Sequence, residues 1–188
     1  LWSLSTYGFR GEALASAAAV SEMTLKSRHQ SADQASVLKN SYGKTEAIFE
    51  QNGEPGTSIV IEKLFENVPA RLKFLKTESA ETAQILKVIK AFALSHPQVE
   101  FKVRVENSLK LFYPRSTSLL ERAKLVLDQK ELFEARNNYS QQDVQIIFSS
   151  PKSVSRTAQN IWIFVQKRWI QDRALQKAIM DAYQDLLM

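Results

Sequence analysis

Two glycines three residues apart stand in the run Tyr7-Gly8-Phe9-Arg10-Gly11-Glu12-Ala13-Leu14, directly before the alanine-rich stretch 13–20. Glycine accepts positive φ and lets a ligand approach the backbone, and the first amides of a helix lack an intrahelical acceptor, so such a junction can hold a phosphate. Arg10 adds a fixed charge there. By spacing alone the pattern fits an ordinary turn into a helix as well as a nucleotide loop. A second grouping sets Lys167, Arg168, Arg173 and Lys177 around Trp169, with Asp172 as the acidic residue among them. Basic side chains at a turn and helix start suit a phosphate backbone, which confers affinity without reading sequence. A solvated charged helix face is the other reading of the same residues.

Read as strings, these segments say more. Gly8-Phe9-Arg10-Gly11-Glu12-Ala13-Leu14 resembles the signature of the MutL family of DNA mismatch repair proteins, whose ATP sites belong to the GHKL group. Downstream, Gly56-Thr57-Ser58-Ile59-Val60-Ile61 and Leu64-Phe65-Glu66-Asn67-Val68-Pro69-Ala70-Arg71-Leu72-Lys73-Phe74-Leu75-Lys76 are similar to that family's Gly-Thr strand and its Leu-Phe-x-Asn-x-Pro-Ala-Arg segment. A weaker likeness, at 164–175, is to the strand, turn and helix of the family's second domain.

The resemblance implies an α+β chain, with residues 1–115 as the C-terminal part of a GHKL ATP-binding α/β sandwich. Residues 116–188 would then be a transducer domain of ribosomal S5 domain 2-like fold, incomplete at its C-terminus. It implies a nucleotide lid formed by Gly8, Phe9, Arg10, Gly11, Glu12 and Ala13, with Gly56 and Thr57 at the adenine. Glu12 is read as a carboxylate at the positive end of the helix dipole rather than as a general base. Arg173 matches an arginine implicated in DNA binding, with Arg168, Lys167 and Lys177 beside it. The family turn is usually Asn-Gly-Arg, so Gln166-Lys167-Arg168 predicts a longer or differently shaped turn.

The family's catalytic Glu and magnesium-binding Asn lie upstream of its lid, and its γ-phosphate lysine lies further downstream than this chain runs. A start at Leu1 without Met, straight into the lid, is read as a piece of a longer chain. The expectation is an intact parent that binds ATP and Mg2+ and hydrolyses ATP, and a piece that binds neither and is inactive. Implied partners are DNA, a second N-terminal region in a homo- or heterodimer, a MutS-type mismatch recognition protein and a downstream endonuclease or helicase. The alternatives are a non-catalytic DNA-binding or dimerisation module, or another GHKL ATPase such as a type II topoisomerase subunit.

Composition bounds these readings. The net charge of +5 divides into 15 basic minus 12 acidic residues up to Arg115 and 10 minus 8 beyond it, which permits nucleic-acid contact without demanding it. Without cysteine there is no disulfide framework, thiolate ligand or thiol nucleophile, and His29 and His96 have no partners at metal-ligand spacing. The alanine-rich stretch is too short and too weakly apolar to cross a bilayer, so the expectation is an intracellular protein, cytoplasmic or at the nucleoid in bacteria and nuclear in eukaryotes.

The elements that must carry these residues follow from periodicity. Alternation predicts a strand at 23–28 and a loop over the polar 30–41. Strands at 44–51 and 57–64 flank Asn52-Gly53-Glu54-Pro55-Gly56, which predicts that the two pair as a hairpin. Helical spacing of Leu86, Ile89 and Ala93, with Ile85 and Phe92 beside them, predicts a sheet-packed helix over 79–95. A hairpin at 99–113, a helix at 119–127, strands at 144–148 and 161–165 and a final helix from Ala174 complete the reading. Phe74 and Leu75 mark the segment after Arg71 as packed, with its lysines reaching solvent.

Overall fold

The computed structural model describes residues 12–139, 142–150, 153 and 160–184 of the 188. The chain divides into two compact units, Leu1–Glu78 and Ser79–Met188. The polar stretch around Ser116, expected to separate two domains, lies inside the second of these.

The first unit opens with α1 (Ala13–Ala18) and continues through β1 (Glu22–Arg28), β2 (Ala35–Ser41), β3 (Lys44–Gln51), β4 (Gly56–Glu62) and the one-turn α2 (Pro69–Leu72). The four strands form one antiparallel sheet in the order β3-β2-β1-β4. Two expectations are corrected here. The segment read as a loop contains β2, and the strands at 44–51 and 56–62 do not pair; they are the two opposite edges of the sheet. Ala35, Val37 and Leu38 supply too few apolar positions among Ser, Lys and Asn for β2 to read as a strand, yet its backbone fills the place beside β1. A two-residue turn at Tyr42-Gly43, with φ of 48° and 87°, then hands β2 directly to β3.

Asn52-Gly53 folds back on the sheet instead of forming a hairpin. A Cβ on Gly53 would sit 2.5 Å from Lys26 Cε and 3.3 Å from the Ala35 Cβ, and Lys26 Nζ donates to the Asn52 carbonyl at 2.7 Å. Burial in this unit is thin: Ala18, Ser21, Met23, Ala35 and Val37 are buried, whereas every residue of β4 is exposed.

The second unit comprises α3 (Glu78–Ser95), β5 (Phe101–Val105), β6 (Ser108–Tyr113), α4 (Leu119–Leu127), β7 (Leu132–Tyr139), β8 (Gln142–Ser149), β9 (Ile163–Val165), β10 (Arg168–Ile170) and α5 (Arg173–Gln184). The strands pair consecutively as three antiparallel ribbons. β7 was not anticipated, because Glu134, Arg136 and Asn137 interrupt its apolar positions. In α3 the buried residues are Ala91, Ala93 and Leu94, while Ile85 and Phe92, expected on the packed face, are exposed.

Helix α4 shows why this unit holds together. Ser118 caps it, accepting from the Glu121 amide at 3.3 Å, and Asp128 ends it in the left-handed region. Its Ala123 and Val126 join Ala93, Leu94, Tyr113 and Leu132 in one apolar core. Arg122, fully buried on the same helix, donates to the carbonyls of Ala93 (3.1 Å), Pro97 (2.6 Å), Val99 (2.9 Å) and Pro114 (2.6 Å). The Phe101 and Tyr113 rings lie within 6 Å of its guanidinium. Burial pulls this guanidinium below the usual arginine range, partly offset by Tyr113, and it stays charged because arginine does not deprotonate in proteins.

Candidate nucleotide and nucleic-acid sites

Gly8, Phe9, Arg10 and Gly11 lie outside the described residues. The segment expected as a lid is helical from Ala13. Glu12 is the residue before α1; its carbonyl accepts from the Ser16 amide at 2.8 Å, while its side chain makes no capping hydrogen bond. Ala13 to Ser16 are exposed, and burial begins only at the far end of the helix, where Ala18 is covered.

That far end is closed by partners from two distant loops. Among the carbonyls there, Ala18 accepts from the Gly43 amide (2.8 Å), Ala19 from Asn67 Nδ2 (3.1 Å), Val20 from the Phe65 amide (2.7 Å) and Ser21 from the Tyr42 amide (3.0 Å). Ser21 Oγ turns back to the Ala17 carbonyl at 2.7 Å. A helix leaves its last carbonyls without intrahelical donors, so these contacts supply what the sequence between α1 and β1 lacks. Outside them, Tyr42 Oη donates to Glu66 at 2.7 Å and Lys63 pairs with Glu22 at 2.8 Å. The Tyr42 hydroxyl is raised above its ordinary pKa, chiefly by its hydrogen bond to Glu66. The same kind of bond, to Glu22, raises Lys63.

Gly56 and Thr57 begin β4. Gly56 has φ of 132°, which an L-residue adopts only with strain, and a Cβ there would meet nothing within 4 Å. Conformation rather than crowding within the chain therefore calls for glycine. Thr57 pairs across the strands with Ser27, their hydroxyls 2.8 Å apart. A hydroxyl so engaged retains further hydrogen-bonding capacity for a ligand.

Downstream, Pro69 starts α2 at a position where its missing N–H costs nothing, and Arg71 lies 5.9 Å from the Phe65 ring centre. The expectation of a packed segment is corrected: Phe74 is 85% exposed and Leu75 is also exposed. α2 stops at Leu72, leaving the next residues beyond the one turn that follows the sheet.

In the second unit, β9 and β10 are joined by Gln166-Lys167 in a two-residue turn, Val165 facing Arg168. Both turn residues have positive φ, 49° and 65°. The tight turn is thus retained with neither Asn nor Gly, contrary to the longer or altered one expected. The flanking pairs Trp169–Phe164 and Ile170–Ile163 set the register, with Phe164 packed against the core, and the turn residues accept the strain. Trp169 lies 5.2 Å from Trp162 between ring centres, and Lys87 Nζ approaches it at 5.5 Å.

Asp172 caps α5, accepting from the Leu175 amide at 2.9 Å. Arg173 is the first helical residue and Lys177 lies one turn on, both exposed. Lys167 is exposed and Arg168 half-buried. A cation at a helix N-terminus opposes the dipole, so Arg173 sits where helix stability would not place it. The clasping residues Tyr42, Glu66 and Asn67 had not been singled out as site residues; their role comes from partners more than 20 residues away. Among the described residues no group of three or more His, Cys, Asp or Glu is arranged to hold a metal, and no helix is long and apolar enough to cross a membrane.

Over 90% of its length the chain is similar to the Aquifex aeolicus MutL ATPase domain complexed with ADP, with 30% identity, a TM-score of 0.79 and coverage of 67% of that chain. The N-terminal domain of a DNA repair protein has the same fold, with a TM-score of 0.80 at 22% identity over 97% of this chain and 61% of that one. The architecture is thus the α+β fold of the MutL ATPase-domain structures. Residues 127–188 match the family described as DNA mismatch repair protein, C-terminal domain. DNA mismatch repair protein MutL of Chlorobaculum parvum is 35% identical over 98% of this chain, and that of Thermosipho africanus 36% identical over 100%. The chain belongs to the MutL family of DNA mismatch repair proteins. It spans 30% and 32% of the length of these two relatives.

Proposed function

We propose that this chain forms part of an ATP-gated, dimerising switch that couples mismatch recognition to strand processing. Residues 1–115 complete an ATP-binding domain and residues 116–188 begin the transducer domain. The observation that carries the reading is the likeness, over 90% of the chain, to an ATPase domain complexed with ADP. Gly8, Phe9, Arg10, Gly11, Glu12 and Ala13 supply lid amides and charge to the phosphates. Gly56 and Thr57 meet the adenine, and their local chemistry suits it: the backbone beside Gly56 is open, and the Thr57 hydroxyl has capacity beyond its bond to Ser27. ATP with Mg2+, when bound in the intact protein, supplies the free energy that biases one conformation over another.

ATP turnover is assigned to the full-length protein. Arg173, Arg168, Lys167 and Lys177 contact the DNA backbone, and Arg173's unfavourable place on the helix dipole supports a role in binding over one in stability. In the intracellular protein, the partners are a second N-terminal region, a MutS-type protein and a downstream endonuclease or helicase.

The test uses the full-length protein. Gly11→Val and Thr57→Ala should each weaken ATP binding, the first by blocking backbone approach. Arg173→Glu should weaken binding to unrelated duplexes alike, and Arg173→Ala should lower the slope of log affinity against log salt by about one. Unchanged ATP affinity in both nucleotide-site variants would leave a DNA-binding or dimerisation module. Unchanged DNA affinity and salt slope in folded Arg173 variants would make Arg173 a solvated helix charge.

A further inference from the structure

We infer that Asn67, with the Phe65 amide and the Tyr42–Glu66 pair, forms a clasp that positions helix α1 for the nucleotide site. The inference rests on the reading of residues 8–13 as the lid. Three observations carry it.

First, among the described residues the hydrogen bonds that grip α1 gather at its C-terminal end. Ala13 to Ser16 face solvent, whereas the carbonyls of Ala18, Ala19, Val20 and Ser21 all accept from the β2–β3 turn or the 65–67 segment. A six-residue helix is too short to persist on its own hydrogen bonds, so its direction is set by what grips its C-terminal end.

Second, the grip is strained. Lys63 and Phe65 have φ of 51° and 64°. The left-handed region is unfavourable for an L-residue with a bulky side chain, and such conformations persist where surrounding contacts over-determine them. Here that conformation accompanies the 2.7 Å bond from the Phe65 amide to the Val20 carbonyl.

Third, the clasp is polar and specific. Asn67 presents an amide donor to Ala19, and Glu66 accepts from Tyr42, whose backbone amide itself binds Ser21. One short segment thus ties both the end of α1 and the turn that shares the grip.

Water can replace a donor at the exposed Asn67, so Asn67→Ala is the weaker test. Asn67→Asp keeps the shape and sets an acceptor against the Ala19 carbonyl. The full-length protein is to be measured with Mg2+ and an ATP analogue resistant to hydrolysis, by hydrogen exchange of residues 8–20 and by analogue affinity. Val37→Ala, buried elsewhere in the same sheet, is the control for general destabilisation. Tyr42→Phe, losing one hydroxyl, is the milder probe should Asn67→Asp fail to fold.

The expected result is faster exchange of α1 amides in Asn67→Asp and affinity lowered about fivefold, the worth of one hydrogen bond. Tyr42→Phe should change both in the same direction by less, and Val37→Ala should leave affinity within twofold of wild type. Wild-type affinity in both clasp variants, or an equal loss in Val37→Ala, overturns the clasp while leaving the lid intact. Absence of analogue-dependent protection at residues 8–20 in the wild type overturns the lid reading itself, and the clasp with it.

Discussion

The two units solve the same problem, joining elements whose backbone groups lack local partners, by opposite means. In Leu1–Glu78 the junction is only partly covered, with Ala18 and Ser21 buried but Ala19 and Asn67 exposed, and it is tied by main-chain amides and the Asn67 carboxamide. In Ser79–Met188 one buried guanidinium on α4 satisfies four carbonyls from α3, the approach to β5 and the end of β6, within a continuous apolar core. A buried cation without its carbonyls is costly, while an exposed donor is replaced by water at small cost. Breaking the junction of the second unit should therefore cost more than breaking that of the first.

The sharpest way to break this contrast is Arg122→Met, which leaves four carbonyls short of a donor. It should cost about 3–5 kcal/mol, read as a lower urea midpoint. Arg122→Lys should recover little of that, since a single ammonium cannot reproduce the guanidinium fork. A loss under about 1 kcal/mol would mean that the junction tolerates water and the contrast is false. Asn67→Asp should cost about 1–2 kcal/mol by the same measurement. If it matched Arg122→Met, the clasp would be as rigid as the core.

A smaller effect of opposite sign tests the β9–β10 turn. Gln166→Asn replaces one residue at positive φ with one that tolerates it, and should raise stability by about 0.5–1 kcal/mol with DNA affinity unchanged. Lys167→Gly should add a similar gain but weaken DNA binding, separating strain from contact. No gain from either would show that the turn is relaxed.

The smallest effects are in pH dependence, and they oppose one another. Arg136, then Gln145, hold the Glu134 carboxylate below its ordinary 4.5. Its contribution in the second unit is therefore complete above that value and lost as pH falls through the lowered one. In the first unit Tyr42 is raised above 10.0, so its contribution is complete below 10.0 and lost as pH rises through the raised value. Urea midpoints should show Glu134→Gln flattening the acid limb and Tyr42→Phe the alkaline limb. A swap of the two limbs would contradict both assignments.

Local chemistry was legible wherever neighbours in sequence decide the outcome. The helical pattern at 119–127 was read from the sequence, and that is where α4 stands. The strand that starts at Gly56-Thr57 was likewise expected, from the family's Gly-Thr string. β2 was not legible, because a central strand can be built from Ser, Lys and Asn when both neighbours supply backbone partners. Missing it made the hairpin of 44–51 with 57–64 look natural, when the two strands are opposite edges of one sheet.

By itself the sequence determined the family signatures, the charge pattern, the absence of thiol chemistry and those elements whose caps and periodicity are local. Only the tertiary structure decided that β2 separates β3 from β1, that Gln166-Lys167 keeps a tight turn against its own preference, that Arg122 is buried, and that Asn67 reaches Ala19. Each of those depends on backbone carbonyls and amides that every residue carries alike, so which of them meet is written in the packing and not in the side-chain pattern.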